Sequence, residues 1–121
     1  MAEHNELGKS GEQIAKGYFI SKGYKILETN WRSGRYEIDL IARDKDQLVI
    51  VEVKTRTTNV MMEPEAAVTK DKQRMLIRAA NAYVQRFNIA SEVRFDIISI
   101  IIAKEEHRIT HIPDAFYPTL F

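Results

Sequence analysis

The run Leu48-Val-Ile-Val-Glu-Val53 constrains this chain more than any other segment. It is apolar almost throughout, as a strand covered on both faces must be, yet it carries Glu52 and is followed closely by Lys54. An interior strand seldom holds an acid and a lysine without a use for them. The preceding segment, YEIDLIARD, also reads as a strand and carries Asp39, and the polar loop Asp44-Lys-Asp-Gln47 separates the two. A hairpin folded about that loop pairs residues whose numbers sum to 91, which sets Ile41 opposite Ile50, Asp39 opposite Glu52 and Glu37 opposite Lys54. A two-residue loop at Lys45 and Asp46 gives the same pairing, whereas a loop of odd length throws Asp39 and Glu52 onto opposite faces.

Opposed side chains on one face have Cβ atoms about 4.5 to 5.5 Å apart, and like charges there repel. A shared proton offsets the repulsion. So does a hard divalent cation such as Mg²⁺, bound by one or two carboxylates with water and phosphate oxygen completing its shell. Lys54 leaves the strand on the same face as Glu52. Two carboxylates, a cation and a lysine are the parts of phosphodiester hydrolysis, in which charge on phosphorus is stabilised and a water is activated. The competing reading is an amphipathic hairpin with a solvated face, since Lys and Glu on edge strands also protect against aggregation.

Composition narrows the setting. With 45% hydrophobic and 29% charged residues in 121, the chain is expected to form one domain over residues 1–121, with residues 1–9 mobile. Cysteine is absent, so thiolate metal sites and disulfides are excluded and any metal sits on oxygen or imidazole. The longest apolar run, IISIIIA, is far short of the roughly 20 residues of a spanning helix, so a soluble, cytoplasmic protein with no membrane partner is expected. Net charge is only +1, but Lys70 to Arg86 holds five basic residues against Asp71 alone.

The order of elements reads α-β-β-β-α-β-β, an α/β class with a mixed sheet. Ser10 with Gln13 fits a capping box and Lys22-Gly23 a stop, which places a helix at 11 to 22. YKILETNWR gives a strand before the turn at Ser33 to Arg35. Leu76, Ala79, Ala80, Tyr83, Val84 and Phe87 recur at helical spacing over 70 to 87. VRFDIISIII and RITHI then form a hairpin, followed by a tail punctuated by Pro113 and Pro118. Met61 and Met62 fall in a loop between the second hairpin strand and the second helix.

An Asp, about a dozen residues, then Glu-x-Lys at the end of an apolar strand resembles the PD-(D/E)XK nuclease superfamily. More specifically, GEQIAKGYFISKGYKILETNWR, YEIDLIARD, VIVEVKTR, KDKQRMLIRAANAYV and VRFDIISI, in this order, resemble the YraN-like group of small bacterial proteins, an uncharacterised protein family (0102). The resemblance covers about residues 8 to 100. It implies a restriction-endonuclease-like core, with motifs laid out as in archaeal Holliday junction resolvases. It also implies Asp39 and Glu52 as ligands of Mg²⁺ or Mn²⁺, Lys54 as the active-site lysine and Glu12 as an acid brought in from the first helix. A homodimer acting on DNA, including branched DNA, is what such a likeness suggests. A nucleic-acid-binding module with little turnover, or a protein-interaction domain without nuclease activity, are the alternatives. The chain departs from the family at Tyr36, where glycine is usual.

Basic residues supply candidate phosphate contacts. Arg32, Arg35 and Arg56 flank the expected site. Lys70, Arg74 and Arg78 form a stripe on the second helix that also fits a solvated face, and Gln73 stands where related nucleases place a supporting polar residue. Glu37 points to the same face as Asp39, with Lys54 an equal claimant for it. Trp31 fits either a stacked base or the edge of the core. His107 and His111 are expected at ordinary surface positions.

Overall fold

The elements follow one another as expected: α1 (Ala2–Ser21), β1 (Lys25–Ser33), β2 (Tyr36–Asp44), β3 (Gln47–Thr57), α2 (Lys70–Arg86), β4 (Glu92–Ala103) and β5 (Glu106–Phe116). The computed structural model describes residues 2–57 and 68–118, without the side chains of residues 2–5, so the Met61 and Met62 loop lies outside the described residues. The sheet runs β1-β2-β3-β4-β5. Its only parallel neighbours among the described residues are β3 and β4, with α2 between them in the chain, while the other pairs are antiparallel hairpins. Each hairpin turns on a two-residue loop whose first residue is left-handed: Gly34 at φ +59°, Lys45 at +55° and Lys104 at +44°.

Two boundaries differ from expectation. α1 begins at Ala2, so Ser10 lies inside the helix instead of capping it, and segment 2–9 is helical. Half-buried Leu7, which shares a cleft with Val53 and Thr55, gives this extra length an apolar anchor. β5 in turn passes through Pro113 to Phe116, because its edge position lets a proline lack a ladder N–H. The helix ends obey their signals. Gly23 at φ +90° lets the Tyr24 N–H reach the Phe19 carbonyl at 3.0 Å, and the Thr69 side chain caps α2 by accepting the Lys72 N–H at 3.2 Å.

The helices cover opposite faces of the sheet. Leu76, Ala79, Ala80 and Tyr83 of α2 pack on Ile38, Ile41, Leu48, Ile50, Phe95 and Ile97. Ala15 and Phe19 of α1 pack on Leu40, Ala42, Val49, Val51, Ile98 and Ile100. Burial on both sides explains why β3 and β4 read as nearly unbroken apolar runs. Full burial of each large side chain contributes roughly 1.5 to 3 kcal/mol. Trp31 belongs to this core, edge-on to Tyr83 with ring centres 5.1 Å apart.

A buried polar knot joins α1, β4 and β5. Asp96, 1% exposed, accepts two hydrogen bonds from Arg94 at 2.9 and 3.0 Å, one from the Asp114 N–H at 3.0 Å, and contacts His111 Nε2 at 2.7 Å. Arg94 also reaches Asp44, Gln47 and Tyr24, and His111 Nδ1 meets the Tyr18 hydroxyl at 3.1 Å. His111 is therefore not an ordinary surface residue. It pairs with Ile98 across the ladder, which puts it on the face that α1 covers. His107 is exposed as expected.

α1 approaches β3 so closely at Gly11 that a Cβ there would overlap the Thr55 side chain, whereas Gly17 has open space. Gly11→Ala is expected to destabilise the fold by about 1 to 3 kcal/mol and Gly17→Ala to stabilise it by up to about 1 kcal/mol, read from urea midpoints. Asp96→Asn removes the carboxylate that Arg94 and His111 share while Arg94 keeps Asp44, with an expected loss of about 1 to 3 kcal/mol in the same assay.

Candidate functional site

The hairpin holds the expected register from Asp44 opposite Gln47 to Leu40 opposite Val51, and then its strands part. Asp39 and Glu52 are not ladder partners. Glu37 pairs with Arg32 on β1, at 3.5 Å side chain to side chain, and not with Lys54. The parting has a local cause. The Asp39 carboxylate accepts the Val53 N–H at 2.9 Å, supplying the acceptor that a neighbouring strand would otherwise provide. β1 yields at the same level, where Asn30 takes φ +50° and drops out of the ladder.

The acids nonetheless meet at this opening. Asp39 lines a cleft of about 260 Å³ with Glu12, Gly8, Val53, Lys54 and Thr55, on the side of α1. Glu52 stands on the α2 side, 4% exposed, with Lys54 Nζ at 3.8 Å and Lys72 Nζ at 3.7 Å from its Oε2. The charge of Asp39 bears on the Glu52 carboxyl across this opening.

Burial, reinforced by the Asp39 charge, pushes Glu52 from the ordinary 4.5 up to about 8. Burial also raises Asp39, against the Val53 N–H and the Lys72 charge that lower it. Glu12 is raised chiefly by burial, and its Oε1 is buried with no hydrogen-bond partner among the described residues. Three crowded carboxyls, one with an unused oxygen, form a hard donor set. Among the described residues no group of three His, Asp or Glu side chains is arranged to hold a metal ion.

The other candidates are spread around this centre. Arg32 is largely exposed, Arg35 opens outward from the β1–β2 turn, and Arg56 is half-buried two residues beyond Lys54. Lys70 and Arg78 are exposed, Arg74 bonds Asp71 at 2.8 Å, and Gln73 donates to the Val68 carbonyl at 3.2 Å near the start of α2. Lys72 is the contact that the sequence reading missed. It lies one helical turn before buried Leu76, and this lysine on the apolar stripe was the available signal.

These features define a small α/β protein with two neighbouring carboxyls, one of them buried and flanked by two lysines, where two neighbouring strands separate. The profile of the family described as Uncharacterised protein family UPF0102 matches residues 11–100, and the chain belongs to that family. It is similar to a UPF0102 protein of Bacteroides thetaiotaomicron, 50% identical over all of both chains. A relative in Phocaeicola vulgatus is 45% identical over the same extent, and one in Flavobacterium psychrophilum 46% identical over 97% of this chain and 98% of its own. No helix among the described residues is long and apolar enough to cross a membrane.

The raised Glu52 carboxyl ties stability to pH. The folded chain keeps a proton that the unfolded chain releases between pH 4.5 and about 8, so stability of the metal-free protein falls as pH rises through that window. Urea midpoints across the window are expected to show the fall, and Glu52→Gln to flatten it. Lys72→Met, which removes a charge that lowers Glu52, extends the fall to higher pH.

Proposed function

We propose that this chain is a metal-dependent endonuclease that hydrolyses phosphodiester bonds in DNA, branched forms included. The observation that carries the reading is the Asp39–Glu52 pair, a half-buried carboxyl beside a buried one whose proton affinity it raises, with two lysines nearby that do not offset the effect. Such pairs of environments are where acid–base and metal chemistry concentrate. The order of elements agrees with the nuclease resemblance.

Asp39 and Glu52 would hold Mg²⁺ or Mn²⁺, with Glu12 beside them. When bound, the cation polarises a phosphate oxygen and acidifies a water. Lys54 places positive charge where phosphorus gains negative charge in the transition state, and Lys72 adds a second positive charge from α2. The Glu12 oxygen that lacks a hydrogen-bond partner would accept one from the attacking water. The separated strands leave this group open on the α1 side, so a phosphate can enter without unpairing the sheet.

Cleavage of duplex, single-stranded and branched DNA in Mg²⁺ and in Mn²⁺ tests the reading. Asp39→Asn and Glu52→Gln are each expected to lower cleavage by at least about 100-fold, and Lys54→Met by about 100- to 1,000-fold. Cleavage unaffected in both carboxyl variants would end the proposal.

A further inference from the structure

A second cavity, of about 490 Å³, lies on the α2 side between the β1–β2 turn and the first turns of α2. Its size falls within the range of small-ligand sites, roughly 300 to 1,000 Å³. Gly34, Arg35 and Tyr36 form one wall, and Asp71, Met75 and Arg78 the other. Arg35 and Arg78 are exposed and neither has an ion-pair partner among the described residues, while Asp71 is already held by Arg74 at 2.8 Å. The cavity therefore presents two unpaired guanidinium forks from opposite sides. Between them stand the half-buried ring of Tyr36 and the thioether of Met75.

We infer that this cavity takes an unpaired nucleotide of a DNA strand, with its base on Tyr36 and its phosphates on Arg35 and Arg78. The inference rests on the nuclease reading and names its substrate class. Guanidinium forks match phosphate oxygens in pairs, and an aromatic face accepts any base by stacking. In a perfect duplex the bases face one another, so only a base released from pairing reaches the ring. The position fits the chemistry. Tyr36 precedes Asp39 by three residues on β2, about 10 Å along the strand, which is about three stacked nucleotides. α2, which supplies Met75 and Arg78, also brings Lys72 to Glu52. A strand held in the cavity is thus led toward the carboxyl pair, and the preferred substrate is DNA with an unpaired nucleotide close to the cut.

Anisotropy of the full chain with short labelled duplexes, one perfect and one with a single unpaired nucleotide, in EDTA, tests this without cleavage. The wild type is expected to favour the second probe. Tyr36→Leu should weaken that probe about tenfold and spare the perfect duplex, and Tyr36→Phe, which keeps the stacking face, should behave as wild type. Arg35→Ala and Arg78→Ala should weaken binding of both probes, each reducing the slope of log affinity against log salt by about one. Equal losses on both probes with Tyr36→Leu, or unchanged slopes with both arginine variants, would overturn the inference. Binding in EDTA is independent of the carboxyl variants, so a failure here is separable from a failure of the cleavage test.

Discussion

The hydrogen bond from the Val53 N–H to the Asp39 carboxylate, at 2.9 Å, holds the site open. A strand leaving a ladder exposes a buried donor, and such a donor costs about 1 to 3 kcal/mol if unmet. By accepting it, Asp39 removes that cost, and β2 is free to turn away from β3 while β3 continues beside β4 as far as Thr57. Everything at the centre follows from this exchange. Glu52 loses the cross-strand neighbour that would cover it, Glu12 reaches in from α1, and Lys72 closes from α2. One side chain thus does structural work with one oxygen and leaves its charge facing the other acids.

Most of the architecture was legible because the constraints behind it are local. Asp44-Lys-Asp-Gln fixes the hairpin register through a two-residue loop, apolar runs mark strands with two covered faces, and Leu76 to Tyr83 at helical spacing marks the packed side of α2. Glu52 and Lys54 stood out because β3 spends interior positions on charge, Asp39 because the hairpin register set it opposite Glu52, and Glu12 only through the family resemblance. What sequence could not give was the way the pair forms. Simple extension of the register implied side-by-side carboxyls on one face, but they meet through a gap, one from each side of the sheet, because a side chain replaced a backbone acceptor. No periodicity reports that exchange.

Long-range partners were lost for a similar reason. Lys72 was counted among the basic residues of α2, yet its contact with Glu52 depends on how the helix sits over β3. His111 looked like a surface residue in a terminal hairpin. Its place was decided by pairing with Ile98, which turns it under α1 toward Asp96 and Tyr18. α1 itself starts earlier than its capping signal because packing of Leu7 outweighs the local preference of Ser10.

Two buried acids in one sheet show how environment divides structure from reactivity. Asp96 is taken out of water as fully as Glu52, and burial alone would raise both. Around Asp96 the interior supplies His111, a bidentate guanidinium and a backbone N–H, and its carboxyl is held below the usual aspartate range. Around Glu52 it supplies a second carboxyl, while the two ammonium groups stand at 3.7 and 3.8 Å, beyond good hydrogen-bond length, and its carboxyl rises to about 8. The first acid has every lone pair answered, and exchanging its partners would only weaken the fold. The second keeps a raised affinity for its proton, at the level where β2 and β3 separate. Satisfying Glu52 as fully as Asp96 would stabilise the protein and bring its carboxyl back down.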